Sequence, residues 1–464
     1  MFKKFFLLLT FQFISISLLT YNQSDIDDLN SGETNLQSKD FSSADLSYKH
    51  YKNRNFTGSD FTNTNAQNSK FENCTFDNVN FTNAQLNQTT FTGCSFDTAN
   101  LTDTIFVLTT NSNCDFTKTM FTDTNMLDSS YSNCTFSQTI LLRPYITDLQ
   151  RESLVQQGCL NPAGSIMVCS DLHLRHKGSS NLSTKMDQVT TMSTIALERG
   201  FKNNVLEIIY AGDLVNNYSP DFTVAGDEEN EWGYFNTMFI NTFKEAPFVS
   251  PNTIRTNTLI GNHDRKGGVL SYDSYASKKI KALNQSLIDS TGEYGQDYYK
   301  VSNSTLNLDI YMLGECPTKF NYKPVNWFTS NIDTDKTSIL VSHYSPIKNL
   351  NWWTNGNEPR QLENHVNQWD SGTAYDSDVT NGNSVVNTFA SMISSYEDNI
   401  LIYIGGHYHD TFLQKWGNIW TLNCADNTKF ALIHLTSGGE LVAIELYSFT
   451  DADDVTRYYP KDLT

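Results

Sequence analysis

From Leu36 to Leu141 an apolar side chain returns at every fifth residue. Phe41, Leu46, Tyr51, Phe56, Phe61, Phe71, Phe76, Phe81, Leu86, Phe91, Phe96, Leu101, Phe106, Phe116, Phe121, Met126, Tyr131 and Phe136 all fall in register, and only Ala66 and Asn111 interrupt the large apolar series. A period of five matches neither the helical repeat of ~3.6 nor the strand repeat of ~2, so neither a helix nor a flat strand can bury this series on one side. Self-similarity at a fixed period is the mark of a solenoid. Two residues before each centre stand small or modest residues, among them Ala44, Ser59, Cys74, Ala84, Cys94, Ala99 and Cys134. A large centre with a small partner fills a narrow square tube. Cys74, Cys94, Cys114 and Cys134 recur every twenty residues, so four five-residue units make one coil and these cysteines should stack on one face.

This pattern resembles the pentapeptide-repeat family, and the resemblance implies a right-handed quadrilateral β-helix. The region holds 22 five-residue positions. That is about five coils, or roughly 25 Å at a strand spacing of ~4.8 Å. Neighbouring cysteines would have Cα atoms close enough for a disulfide, but parallel Cβ vectors make bridging awkward, so buried thiols are expected.

The second half obeys a different rule. Five short apolar runs, at 166–169, 205–210, 256–260, 338–341 and 400–404, read as buried strands. Helix-like stretches at 185–199, 231–243 and 384–396 come between them. Strands alternating with helices indicate an α/β domain. Each run leads into a block bearing Asp, Asn or His: Asp171-Leu172-His173, Gly212-Asp213, Gly261-Asn262-His263-Asp264, His343, and Gly406-His407-Tyr408-His409. Function in open α/β sheets gathers at the carboxyl ends of strands, so the blocks are expected together at one sheet edge. Two imidazoles with carboxylates suit Zn, Mn or Fe rather than Ca. Asp213 can bridge two ions, and Gly212, Gly261 and Gly406 should let the backbone turn sharply and approach closely.

The ordered set D-x-H, G-D, G-N-H-D, a lone H and G-H-x-H resembles the calcineurin-like metallophosphoesterase family. The resemblance implies an α/β metallophosphoesterase fold, a β-sandwich flanked by helices, over residues 164–450. It implies that Asp171, His173, Asp213 and His409 hold a first metal, and that Asp213, Asn262, His343 and His407 hold a second. A hydroxide bridging ions ~3.5–4 Å apart would then attack the phosphate ester. His263 would protonate the leaving alkoxide or stabilise the transition state, and Asp264 would orient its ring. The Asp-Arg-Gly continuation of the protein Ser/Thr phosphatases is absent, because Leu214 follows Asp213. The iron-binding Tyr of the purple acid phosphatases is replaced by Asn216. His50, His176, His365 and His434 fit no block and are read as structural or surface residues. Arg265, Lys266, Arg360 and a Trp-rich stretch at 349–383 are candidates for substrate contact.

A basic start and an apolar core ending near residue 20 read as a secretory signal peptide. Eleven Asn-x-Ser/Thr sites and eight cysteines agree with a secreted or lumenal protein. No membrane contact is expected after signal cleavage. A net charge of −19 repels polyanions, which argues against nucleic acid as the main partner. The expected organisation is a signal peptide over 1–20, a repeat domain over 36–143, a linker over 144–163 and the catalytic domain over 164–450. The expected function is hydrolysis of phosphate mono- or diesters with two metal ions, with the solenoid as a spacer or a module for a protein partner. The competing reading is a binding protein whose solenoid is the functional part.

Overall fold

The computed structural model describes residues 21–173, 204–212, 214, 255–259, 298–313, 322–344 and most of 393–460. The chain forms two compact units, Met1–Leu160 and Asn161–Thr464.

In the first unit the five-residue rule becomes a stack of parallel rungs. Strands β1 (His50–Lys52), β2 (Lys70–Glu72), β3 (Thr90–Thr92), β4 (Thr110–Ser112) and β6 (Ser130–Ser132) pair in parallel at twenty-residue steps. Strands β5 (Met120–Thr122) and β7 (Ile140–Leu142) form a second pair in the same way. Between them, parallel bridges such as Asn55↔Thr75, Asp60↔Asn80 and Asn65↔Gln85 repeat the step at other positions in the coil. The backbone turns in the left-handed region at every fifth residue from Ser38 to Arg143. Asn or Asp fills many of these turns, as at Asn53, Asn73, Asn83, Asp103 and Asn133. Their short polar side chains tolerate positive φ better than other residues do.

The centres pack as columns of rings. Phe56, Phe76, Phe96, Phe116 and Phe136 stack face to face, with successive centroids 5.1, 5.1, 4.9 and 5.3 Å apart. A neighbouring column runs Tyr51, Phe71, Phe91 and is then broken by Asn111, the polar residue that disturbs the repeat in the sequence. The buried Asn111 amide donates to Thr109 Oγ1 (3.0 Å) and to the Ser130 carbonyl (3.1 Å).

The position two before each centre does more than save space. Its hydroxyl or thiol donates to the carbonyl of a centre 23 residues earlier: Ser59 to Leu36, Thr64 to Phe41, Cys94 to Phe71, Thr119 to Phe96, Thr139 to Phe116. Cys74, Cys94 and Cys114 are buried free thiols, and Cys134 is a half-buried one. At the end of the solenoid, Leu160 bridges to Ile140. Helix α2 (Asp148–Gln156) lies within the 144–163 stretch, opened by a capping box between Thr147 and Gln150. A helix of the same length, α1 (Gln23–Ser31), precedes the first coil.

The second unit holds two six-stranded mixed sheets. The first has the order β10 (Arg255–Thr258), β9 (Val205–Tyr210), β8 (Gly164–Cys169), β17 (Lys429–Leu435), β18 (Leu441–Ser448), β19 (Val455–Tyr458). The second runs β11 (Tyr299–Asn303), β12 (Leu308–Met312), β13 (Thr337–Tyr344), β14 (Ile400–Gly406), β16 (Ile419–Cys424), β15 (Thr411–Trp416). All five apolar runs form strands, and each keeps parallel neighbours: β8, β9 and β10 in the first sheet, β13 and β14 in the second. The five strands thus divide between two sheets rather than sharing one edge. The two sheets contribute to one apolar core, with Ile166, Val168, Ile209 and Ile433 from the first and Ile310, Val341, Ile402 and Ile404 from the second. A second cluster covers the other face of the second sheet, where helix α3 (Tyr322–Asn331) sets Phe328 against Tyr311, Leu340 and Tyr403. Among the described residues, no helix is long and apolar enough to cross a membrane. The apolar start, the helix-like stretches at 185–199 and 231–243, and the Trp-rich stretch lie outside the described residues.

Candidate metal centre

The two sheets bring the carboxyl ends of their central strands toward the same place. Beyond β8, the Asp171 backbone N–H donates to the Gly212 carbonyl at 3.0 Å, which joins the first block to the second. Beyond β9, the Ala211 N–H donates to the Cys169 carbonyl at 3.0 Å, and the Leu259 N–H reaches the Tyr210 carbonyl at 3.0 Å. The ladder therefore continues past the strands into the segments that carry the blocks.

His343 crosses from the other sheet. Its Nδ1 lies 2.8 Å from the Ala211 carbonyl. A carbonyl can only accept, so Nδ1 carries the hydrogen, and in the neutral ring Nε2 bears the lone pair. A backbone carbonyl on one ring nitrogen is the usual way a metal-binding imidazole is held in one tautomer and one orientation. His343 lies inside β13, one residue before its end, and is 1 % exposed.

Gly406 ends β14 and meets the first block directly. A Cβ at 406 would overlap Ser170 Oγ, stand 2.6 Å from Asp171 Oδ2 and 3.1 Å from the Ala211 carbonyl. Glycine is required here for close approach and not for a sharp turn, since 406 lies within a strand. Gly212 needs glycine for the other reason, with φ at +93°.

Asp171 and His173 both adopt positive φ, at +55° and +45°, outside the repeating turns of the solenoid. Non-glycine residues in that region cost on the order of 1–3 kcal/mol and cluster at functional sites. The Asp171 carboxylate is fully buried. Its Oδ1 lies 3.8 Å from His173 Nε2, and its Oδ2 accepts from the Ser170 hydroxyl at 2.5 Å.

Asp171, His173 and His343 are thus the predicted site residues that fall within the described part of the chain, and they occupy one neighbourhood together with Gly212 and Gly406. Asp213, Asn262, His263, Asp264, His407 and His409 lie outside the described residues, as do Arg265, Lys266 and Arg360. Among the described residues, no three His, Cys, Asp or Glu side chains gather to hold a metal. The donors that are described fit the hard-to-borderline ions expected from the sequence: a buried carboxylate beside an imidazole, and a second imidazole fixed in a ligating tautomer.

Two groups escaped the sequence reading. One is Ser170, whose only signal was its place directly before Asp171. The other is the network around His434, read from the sequence simply as structural. His434 is fully buried, with Nδ1 2.7 Å from Ser165 Oγ and Nε2 2.9 Å from Glu445 Oε2. Tyr447 donates to the same carboxylate at 2.7 Å, and Arg457 Nε donates to its other oxygen at 2.8 Å. Burial opposes the Arg457 charge, but Glu445 beside it holds the guanidinium above its ordinary pKa. His434 and Glu445 are fully buried and Arg457 is partly exposed, so the cluster is a polar core across β8, β17, β18 and β19 with Arg457 at its edge. His50, the other unassigned histidine in the described part, pairs with Glu72 at 2.8 Å on the solenoid surface.

The family model for calcineurin-like phosphoesterases matches residues 164–411, just over half of the chain. The model described as pentapeptide repeats (8 copies) matches residues 55–93 and 80–110. Comparison with curated proteins finds no significant match. Among solved structures, the chain is similar to a purple acid phosphatase from yellow lupin (Lupinus luteus) seeds, with 10 % identity and a TM-score of 0.39 over 65 % of this chain. The match spans only 56 % of that protein's own length. It is also similar to the GAP50 anchor of the Plasmodium inner membrane complex, with 8 % identity and a TM-score of 0.36 over 64 % of this chain and 88 % of that one. The chain is also similar to a plasmid-mediated fluoroquinolone resistance protein, with 14 % identity and a TM-score of 0.18 over 26 % of this chain and 83 % of that one.

Proposed function

The chain belongs to the calcineurin-like phosphoesterase family, and from that membership we propose that it is a metal-dependent hydrolase of phosphate mono- or diesters, acting in a secreted or lumenal setting. The observation that carries the reading is the meeting of Asp171, Gly212, His343 and Gly406 at the carboxyl ends of strands from both sheets. In this reading Asp171, His173, Asp213 and His409 would hold one ion, and Asp213, Asn262, His343 and His407 the other. Bound Zn, Mn or Fe would supply Lewis-acid polarisation of the phosphoryl oxygens and a water acidified from ~15.7 towards ~7. The Ala211 carbonyl keeps the His343 ring in its ligating tautomer. His263 would deliver a proton to the leaving alkoxide, and Asp264 would hold the His263 ring in place.

We read the first unit as a right-handed quadrilateral β-helix serving as a spacer or a surface for a protein partner. Parallel bridges at successive five-residue positions in the twenty-residue coil support four sides. The basic, apolar start and the eleven glycosylation sequons support export. The acidic net charge of −19 weighs against nucleic acid as the partner.

The test is hydrolysis of an aryl phosphate ester by the purified chain, with metal content measured in parallel. Asp213→Ala and His407→Ala are each expected to abolish metal-dependent turnover. Full activity in either variant refutes the mechanism.

A further inference from the structure

We propose that Ser170 is a positioning residue that fixes the Asp171 carboxylate for the first ion; the inference rests on the metallophosphoesterase reading above. Ser170 is 2 % exposed, and three acceptors surround its hydroxyl: Asp171 Oδ2 at 2.5 Å, the Ala211 carbonyl at 2.9 Å and the Gly212 carbonyl at 3.2 Å. A hydroxyl has one hydrogen and cannot serve all three. Bonds from a hydroxyl to a carboxylate run at ~2.5–2.7 Å and are about twice as strong as neutral ones, so the hydrogen goes to Asp171.

One consequence follows from that single bond. The carboxylate is pinned through Oδ2, which turns Oδ1 to the side of His173, 3.8 Å from its Nε2. The hydroxyl oxygen also packs beside the Ala211 carbonyl, and that carbonyl accepts from His343 Nδ1 at 2.8 Å. The Ala211 carbonyl thus takes its hydrogen from His343 alone, and the Ser170 hydrogen stays on Asp171. Gly406 closes the arrangement, because any Cβ there would overlap Ser170 Oγ. The carboxylate can shift only if the hydroxyl or the end of β14 shifts with it.

Groups that orient a metal ligand from behind typically contribute 10–100-fold to metal affinity. The experiment titrates Mn²⁺ or Zn²⁺ into the chelator-stripped full-length chain by calorimetry, comparing wild type with Ser170→Ala and Ser170→Thr. Melting of each metal-free chain is followed by circular dichroism. The expected result is 10–100-fold weaker binding of one ion by Ser170→Ala, with the metal-free melt retained. Ser170→Thr, which keeps the hydroxyl, should recover most of the affinity. Wild-type affinity in Ser170→Ala overturns the proposal, as does an equal loss in Ser170→Thr. Loss of the metal-free melting transition in Ser170→Ala also overturns it, because the hydroxyl would then be purely structural. Should the wild-type chain itself bind no metal, it is the metallophosphoesterase reading that fails, and that outcome is distinct from the others.

Discussion

Replacing Gly406 with Ala puts one methyl group where the structure has no room for it. The added Cβ would stand 2.6 Å from Asp171 Oδ2 and 3.1 Å from the Ala211 carbonyl, and would overlap Ser170 Oγ. Neither partner is a free surface group. The carboxylate is fully buried, and Ala211 is held through its N–H to Cys169 and through His343 on its carbonyl. Ordinary contact for such a pair is about 3.4 Å, so the carboxylate and the strand end must part by roughly 0.8 Å in total. Overpacking of this kind costs about 1–3 kcal/mol, which the unit should survive folded. The catalytic effect is expected to be larger, because a displacement near 1 Å in a positioned group lowers turnover by about 10²-fold. The assay is aryl phosphate hydrolysis at saturating metal, with thermal melting as the control for folding. The reasoning is refuted if Gly406→Ala is folded and retains more than about a third of wild-type kcat, since the close approach of β14 to Asp171 would then have no chemical consequence.

Three further outcomes are expected. Phe96→Ala removes a fully buried ring stacked between Phe76 and Phe116, and should destabilise the solenoid by about 3–5 kcal/mol in urea unfolding followed by far-ultraviolet circular dichroism. Thr119→Val deletes the hydroxyl that donates to the Phe96 carbonyl at 2.7 Å, and the same measurement should register a smaller loss of about 1–3 kcal/mol. Glu445→Ala leaves Arg457 and His434 without the carboxylate they share in the buried sheet. It should lower the stability of the second unit by about 3–5 kcal/mol, seen as an earlier thermal transition; an unchanged transition would show that the network contributes nothing.

The legibility of this chain varies with the range of the forces involved. The five-residue rule is local and repeats, so each side chain meets a copy of its own surroundings twenty residues away. The stacked phenylalanines and the polar break at Asn111 could therefore be anticipated from spacing. The hydroxyl and thiol bonds reaching 23 residues back could not be anticipated in the same way. Their partner is a backbone carbonyl, which carries no sequence signal.

In the second unit the five strands that lead into the blocks were legible from apolar runs, and the candidate ligands from residue types, whereas β11, β12 and β15 to β19 were not foreseen. The division of the strands between two sheets was not legible, because apolar runs alone do not specify which strand edges will pair. Helix α3 was missed as well, since Pro324 in its first turn and a mixed composition hide its apolar face.

The sequence alone therefore determined a twenty-residue coil, a set of strand-end blocks and the donor chemistry those blocks offer, because periodicity and ligand type are properties of neighbouring residues. Only the tertiary structure decided that β13 and β14 bring His343 and Gly406 against the segments carrying Asp171 and Gly212. That meeting depends on two sheets sharing one apolar core, and on an absent side chain at 406 that lets the backbone of one sheet touch the carboxylate of the other.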